Sequence, residues 1–404
     1  MLVFEFKAYG KRQQFDAVDE AIKTVQFIRN KALHFWMDNE KVNKFDLNKY
    51  SAVLAKEFPF CDELNSMARQ SSAERAWSAI SRFYDNCKKK NPGKKGFPQF
   101  QKNNRSVEYK TSGWKLASDR KSITFTDKKG IGKVKLKGTR DLHFYQPTQI
   151  KRVRLVKRAD GYYYVQFCIQ VDRSEKIEVT GNAIGLDVGL KEFYTDSNGI
   201  AVDNPRFLRK AERRLKKAQR RVSKRVKGSK NRGKVRVILG KHHLKISRQR
   251  KDFAVKLARC VIQSNDCVAY EDVRIKNMVK NHCLAKSIND ASWYMFRVWM
   301  EYFGKVFGRI TIAVTANGTS QECSSCGTIV KKSLSTRTHA CRCGCVLDRD
   351  HNAARNILSR GLSTVGHTGT WGNTHNACGE LTATDVEVIL YRQVDSMNQE
   401  SQRL

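Results

Sequence analysis

The chain has 404 residues, and 77 Lys+Arg against 39 Asp+Glu leave a formal net charge of +38. So large an excess repels itself on compaction and points to a polyanionic partner, while 40% hydrophobic and 10% aromatic residues are the content of a folded protein and not of a basic tail. No run of about 18 apolar residues occurs, and the first ten residues, MLVFEFKAYG, carry an acid and no long apolar stretch, which argues against a membrane partner and a secretory leader and for a cytoplasmic location.

From the N-terminus, Leu2, Phe4 and Phe6 alternate at period two and predict a strand over 2–9, ended by Gly10. The period then lengthens. Ala17, Val18, Ala21, Ile22, Val25, Ile28, Ala32 and Phe35 predict a helix over 16–37, and Met67, Ala68, Ala76, Trp77, Ile80, Phe83 and Tyr84 a second over 64–87. Lys88–Lys102 breaks that helix with Pro and Gly and is strongly basic. Between Arg105 and Val171 the period returns to two, most clearly in a hairpin turning at Asp160–Gly161. A third unit begins near Asn182. It shows a strand over 183–188, a hairpin through Asp196–Gly199, a long basic helical stretch, a strand over 266–271, a helix near 290–306 and a strand over 309–314, an order that suits an α/β nuclease-type domain. A short helix over 350–360 follows, and the sequence after Leu362 reads as a weakly ordered tail.

Residues 206–251 hold 21 Lys/Arg and one acid, Glu212, so 46 residues carry +20 of the +38. Leu208, Ala211, Leu215, Ala218 and Val222 recur at spacings of three and four, so the first half is an amphipathic helix and its charges lie on one broad face. A solvated helix face would carry the same count. A wall for a nucleic-acid backbone explains it better, because Lys and Arg release counterions from phosphates. Arg213, Arg214, Lys217, Arg220, Arg221, Lys224 and Arg225 are the candidate contacts.

Of 12 cysteines, Cys323, Cys326, Cys341 and Cys343 form two close pairs about fifteen residues apart. A secreted disulfide framework spreads its cysteines, whereas two close pairs supply the four thiolates of tetrahedral Zn²⁺. Cys341-x-Cys343 is one residue shorter than a usual knuckle, so Cys345 and His339 stay open as alternative ligands. Four thiolates make one structural Zn²⁺.

Three acids complete the pattern. Asp187 ends the strand 183–188, with Ala183, Gly185 and Asp187 on a face of little bulk that leaves room for a metal and a substrate. Glu271 ends the strand 266–271 in the same way. Asp350 opens a helix with Ala354 and Ile357 on its own, packed side. Carboxylates that bind two Mg²⁺ in a phosphate-attracting groove are the equipment of two-metal phosphodiester hydrolysis. Asp272 and Asp348 read as supporting or capping residues, and Arg349 as either orienting a phosphate or pairing with an acid.

GLDVG at 185–189, YEDV at 270–273, the TSQ-C-x2-C run from Thr319 and LDRDHNAARNIL at 347–358 resemble the TnpB (OrfB) proteins of bacterial insertion sequences, which look like ancestors of the type V CRISPR effectors. The resemblance covers roughly residues 1–365. It implies an α+β multidomain fold: a β-barrel wedge domain (1–10 and 103–181) with a helical recognition insertion (11–102), then a RuvC, RNase H-like α/β nuclease domain (182–315 and 346–362) carrying the basic insertion 206–251 and interrupted by a zinc-ribbon module (316–345), and a tail (363–404). It implies an RNA-guided DNA endonuclease in which Asp187, Glu271 and Asp350 bind Mg²⁺ and the cysteine module helps load target DNA. The partners would be a guide RNA derived from the transposon end and a double-stranded target read beside a short motif, bound by one protein chain. The basic segment would line the channel for the guide–target duplex. By the same resemblance Gln70, Tyr109 and Lys110 lie near target-flanking duplex; ordinary surface positions would read no differently. A non-cleaving DNA-binding regulator of transposition or transcription would use the same charge and zinc, and the three acids argue against it. The RNase H-like fold could also serve a strand-transfer transposase acting alone.

Overall fold

A computed structural model describes residues 2–89, 95–333 and 336–368, so most of the expected tail lies outside the described residues, as does 90–94 of the basic break. Two compact units are present: Met1–Asp172 with Lys227–Lys241, and Arg173–Val226 with His242–Leu404.

In the first unit β1 (Leu2–Tyr9) leads to four helices, α1 (Arg12–Asp38), α2 (Lys44–Glu57), α3 (Pro59–Asp62) and α4 (Ser66–Lys88). Six strands follow: β2 (Ser106–Tyr109), β3 (Trp114–Leu116), β4 (Ser122–Phe125), β5 (Gly132–Lys137), β6 (Ile150–Lys157) and β7 (Tyr163–Ile169). They form one sheet in the order β2-β6-β7-β1-β5-β4-β3, antiparallel throughout. The helices are thus inserted after a central strand. The i, i+3, i+4 stripe of α1, Val18, Ala21, Ile22, Val25 and Ile28, shares a core with Phe6, Val153, Leu155, Val165 and Phe167 of the sheet.

The second unit is built on β8 (Ala183–Val188), β9 (Glu192–Asp196), β10 (Ala201–Asp203), α5 (Phe207–Ser223), α6 (Lys230–Ser264), β11 (Cys267–Glu271), α7 (Ile275–Met278), α8 (His282–Ala291), α9 (Trp293–Phe307), β12 (Ile310–Val314), β13 (Thr338–Ala340), β14 (Val346–Asp348) and α10 (Arg349–Thr368). Five strands pair in the order β10-β9-β8-β11-β12, with β8, β11 and β12 parallel and the β8–β9–β10 meander antiparallel. One face, with Ile184, Leu186, Val268 and Tyr270, packs against Phe193, Ala258, Ile262, Phe296 and Phe303. The other, with Cys267, Ala269, Ile310 and Ile312, packs against Ile357 and Val365 of α10. No helix among the described residues is long and apolar enough to cross a membrane.

The helix expected near 290–306 is α9, and an α8 not expected from sequence precedes it, the two separated at Ser292, which takes a left-handed backbone (φ 59°). Two expectations change here. The helix over 350–360 runs on to Thr368, so 363–368 is helix and not tail. The basic segment 206–251 is not all one insertion: Lys227–Lys241 groups with the first unit. Gly240 shows why, since a Cβ there would lie 2.0 Å from the Ala159 carbonyl of the β6–β7 turn, an approach only glycine permits.

Candidate active site and metal centre

The positions of the three acids follow from small residues. On β8, a Cβ at Gly185 would lie 2.2 Å from the Ala354 carbonyl and 2.7 Å from the Leu358 nitrogen, so the backbone of α10 rests directly on the strand. A Cβ at Gly361 would meet the Cβ of Ala269 on β11 at 2.5 Å. The face expected to leave space for a metal and substrate is therefore filled by α10 at Gly185, and Asp187 lies at the strand's end beyond that contact. Adding a methyl at Gly185 pushes backbone against backbone. Gly185→Ala is expected to cost about 1–3 kcal/mol, read by a lower denaturant midpoint, and to displace Asp350 with its helix.

In the parallel register Leu186 pairs with Tyr270, so Asp187 and Glu271 occupy the next positions of adjoining strands. Asp350 stands in the first turn of α10. Burial, then the charges of Glu271 and Asp350, raise the Asp187 carboxyl well above the usual carboxylate range. Burial also raises Glu271, opposed by the Thr319 hydroxyl, which donates to Oε1 at 3.0 Å, and by the Arg360 charge. Asp350 is held by Arg349 (Nε to Oδ1, 3.0 Å) and Arg337 (to Oδ2, 3.2 Å). Arg349, open between two roles in the sequence, thus pairs with an acid. Asp348 caps α10, its Oδ1 accepting the Asp350 N–H at 2.8 Å. Asp272 turns to Arg297.

Three carboxylates, two of which raise the third by their charge, are hard oxygen donors of the kind Mg²⁺ takes. They are spread more widely than the thiols. Among the described residues the one group of three or more candidate ligands with atoms within 4.8 Å of each other is Cys323, Cys326, Cys341 and Cys343.

Those sulfurs fit Zn²⁺. Cys323–Cys343 and Cys326–Cys341 are 3.7 and 3.5 Å apart, against about 3.8 Å for the edge of a tetrahedron with 2.3 Å bonds. The Cys326 thiol is lowered to about 6, first by the Thr328 hydroxyl. Each knuckle closes on glycine: Gly327 (φ 75°) donates to the Cys323 carbonyl at 2.9 Å and Gly344 (φ 89°) to the Cys341 carbonyl at 3.0 Å. The short second knuckle works because the Cys341 N–H bonds the Cys345 carbonyl at 2.9 Å, so Cys345 contributes backbone and its thiol stays outside the cluster. His339 is fully buried, with Nδ1 2.7 Å from the Lys332 ammonium, and is not among the clustered ligands.

Among the candidate nucleic-acid contacts, α5 buries Leu215, Ala218 and Val222 and exposes Arg213, Arg214, Lys217, Arg220 and Arg221, with Lys224 and Arg225 exposed just beyond it. Its long side chains frame an open furrow of about 750 Å³. Glu212 pairs with Lys216 at 2.8 Å and with Lys286, the Lys216 hydrogen bond first in holding its carboxyl down to about 2. The first unit corrects one expectation: Tyr109 is fully buried, its hydroxyl donating to Asp127 at 2.6 Å, and is a core residue. Lys110 is engaged by Glu74 at 2.6 Å, and Gln70 is half-buried. Sequence reasoning missed Thr319, Asn352, Asn356 and His351. The His351 ring lies 3.2 Å from the Ser197 carbonyl and ties the β9–β10 turn to α10.

Two family models match the chain: OrfB_IS605, described as probable transposase, over residues 166–282, and the Cas12f1-like TNB domain over 293–357, which spans the cysteine cluster. A Streptomyces pristinaespiralis protein named "Putative RNA-guided DNA endonuclease" is 30% identical over 375 residues, 89% of each chain. The "Putative RNA-guided DNA endonuclease InsQ" of Escherichia coli (strain K12) is 27% identical over 320 residues, 75% of this chain and 74% of that one. Among solved structures, Cas12f1 in a cryo-EM complex with sgRNA and target DNA superposes with a TM-score of 0.53 at 14% identity, covering 87% of this chain and 83% of that one, a likeness of fold. With a relative 30% identical along nearly nine-tenths of both chains, and family models matching 166–282 and 293–357, the chain belongs to the TnpB (OrfB) family.

Proposed function

We propose that this chain is an RNA-guided DNA endonuclease that cleaves double-stranded DNA beside a short adjacent motif, with Asp187, Glu271 and Asp350 as its catalytic acids. The observation that carries the reading is the convergence of three acids, from two parallel strands and the helix packed on them, in a chain of net charge +38. Parallel β8, β11 and β12 beside an antiparallel meander support a RuvC, RNase H-like identity for 182–315 and 346–362, with 316–345 as a zinc ribbon around one structural Zn²⁺. The seven-stranded sheet with helices inserted after its central strand supports the wedge domain and recognition insertion. The partners are a guide RNA from the transposon end and target DNA. The protein is a monomer in the ribonucleoprotein, in the bacterial cytoplasm and on the nucleoid through DNA.

Asp187, Glu271 and Asp350 would hold two Mg²⁺, which when bound supply an activated water and a stabilised leaving oxygen. The chain's own residues prepare the place. Glu271 is oriented by the Thr319 hydroxyl and Asp350 by two guanidinium groups. The exposed cations of α5 bind phosphate backbone and make affinity salt-dependent.

The test is to purify the full chain with RNA expressed from its own locus, sequence the RNA that copurifies, and assay cleavage of DNA matching it. One defined RNA and Mg²⁺-dependent cutting at matched DNA are expected. Binding without cutting would make the chain a DNA-binding regulator, and joined products would make it a strand-transfer enzyme.

A further inference from the structure

Asn352, Asn356 and Arg360 follow Asp350 along α10 at four-residue spacing and form one stripe. Asn352 is fully buried and Asn356 nearly so. Asn352 accepts the Ser324 N–H at 3.0 Å and donates to the Glu322 carbonyl at 2.8 Å. Asn356 donates to the carbonyls of Thr319 at 2.8 Å and Glu322 at 2.7 Å. Arg360 donates to the Asn317 carbonyl at 2.7 Å and to the Glu322 carboxylate at 2.6 Å. The segment 317–324, which runs into the first zinc knuckle, is therefore laid along the helix that begins with Asp350. Asn352 uses both ends of its amide and Asn356 donates from its Nδ2 to two carbonyls, and buried amides so engaged fix a register, because each partner lost would leave a polar group unpaired.

One residue of that segment reaches the proposed active site. Thr319 is 4% exposed; Asn356 holds its carbonyl, and its hydroxyl donates to Glu271 Oε1 at 3.0 Å. That hydrogen bond uses one lone pair of Oε1 and sets the plane of the carboxylate, leaving the remaining lone pairs to ligate a cation. The second knuckle closes the circuit, since β14 leads from it directly into Arg349 and Asp350.

We propose that Thr319 is the positioning residue for Glu271 and that Asn356 holds it there, so that the zinc module, through its first knuckle, sets the cation-binding geometry of the active site. The inference rests on the reading of Glu271 as a cation ligand. Hydrogen-bonding partners of metal-binding carboxylates are worth about ten- to a hundredfold in metal affinity or activity.

Thr319→Val removes the hydroxyl and keeps the shape. Expected are unchanged zinc content and guide-RNA binding, Mn²⁺ binding to the RNA-free full-length chain weakened about ten- to a hundredfold by electron paramagnetic resonance, and the Mg²⁺ half-saturation for cleavage raised by the same factor. Thr319→Ser restores both, and Asn356→Ala, which frees the Thr319 backbone, reproduces the loss. Unchanged Mn²⁺ affinity in Thr319→Val, with Mn²⁺ binding lost in Glu271→Gln, overturns the positioning role and leaves the cation reading standing. Unchanged affinity in both variants overturns the two together. Joint loss of zinc and Mn²⁺ that Thr319→Ser does not repair overturns it as well, because Thr319 would then only support the knuckle.

Discussion

Replacing Asp187 with Ala is expected to reduce cleavage of guide-matched DNA by about a thousandfold or more, while guide RNA and target remain bound. Cation placement is worth several kcal/mol of transition-state stabilisation, and each 1.36 kcal/mol is tenfold in rate. Stability separates this from a folding defect. Burial first, then the charges of Glu271 and Asp350, raise the Asp187 carboxyl. A carboxyl raised in the folded state favours the fold when protonated, and that contribution is lost as pH rises through its raised value. Without divalent cation the same burial and neighbouring charge disfavour an ionised acid at this place, so Asp187→Ala should unfold no more easily than wild type in a chelator. Protons and cations compete for the same oxygens, so the Mg²⁺ needed for half-maximal cleavage should rise as pH falls. Undiminished cutting by Asp187→Ala would remove Asp187 from the active site.

The second large effect concerns zinc. Elemental analysis should find about one Zn²⁺ per chain, and the double variant Cys323→Ser, Cys326→Ser should contain none. Structural zinc supplies about 10–16 kcal/mol of apparent binding energy in small zinc-finger peptides at neutral pH. Without it, the two-stranded β13–β14 hairpin is too small to be stable by its own strand pairing. Hydrogen exchange in 316–345 should accelerate in the variant, and cleavage should fall with it, because the hairpin runs straight into Asp350. Single variants decide the fourth ligand: Cys343→Ser loses zinc, whereas Cys345→Ser keeps it, since Cys345 serves through its carbonyl. Zinc retained by the double variant would refute the site.

What could be read from sequence was local. Period-two alternation marked β1 and the β6–β7 hairpin, and the three-and-four spacing of Val18, Ala21, Ile22 and Val25 marked α1. Close cysteine pairs are likewise a local signal. α2 was missed because Leu47, Leu54 and Ala55 make too thin a stripe, although Asn43, which accepts the Phe45 N–H at 2.7 Å, is a usable cap signal. The left-handed Ser292 was invisible because nothing in serine demands that backbone. The candidate active site was legible as residue types and illegible as geometry. That Gly185 exists to admit α10 depends on Ala354 and Leu358, far away in the sequence. Tyr109 illustrates the converse error: a family-based expectation of a surface contact fails against a side chain that fills a core. The Asn352–Asn356 stripe looks from sequence like two ordinary polar helix residues, and only the backbone carbonyls of a distant segment give it meaning.

Asp350 is fixed by charge as well as by its helix. Arg337 lies just before β13 and Arg349 opens α10, and both guanidinium groups pair with the one carboxylate. The hairpin and the helix it feeds are therefore clamped to each other at their junction: the strand that enters the hairpin and the first residue of α10 grip the same acid, so the entry and exit of the hairpin are tied together at one point.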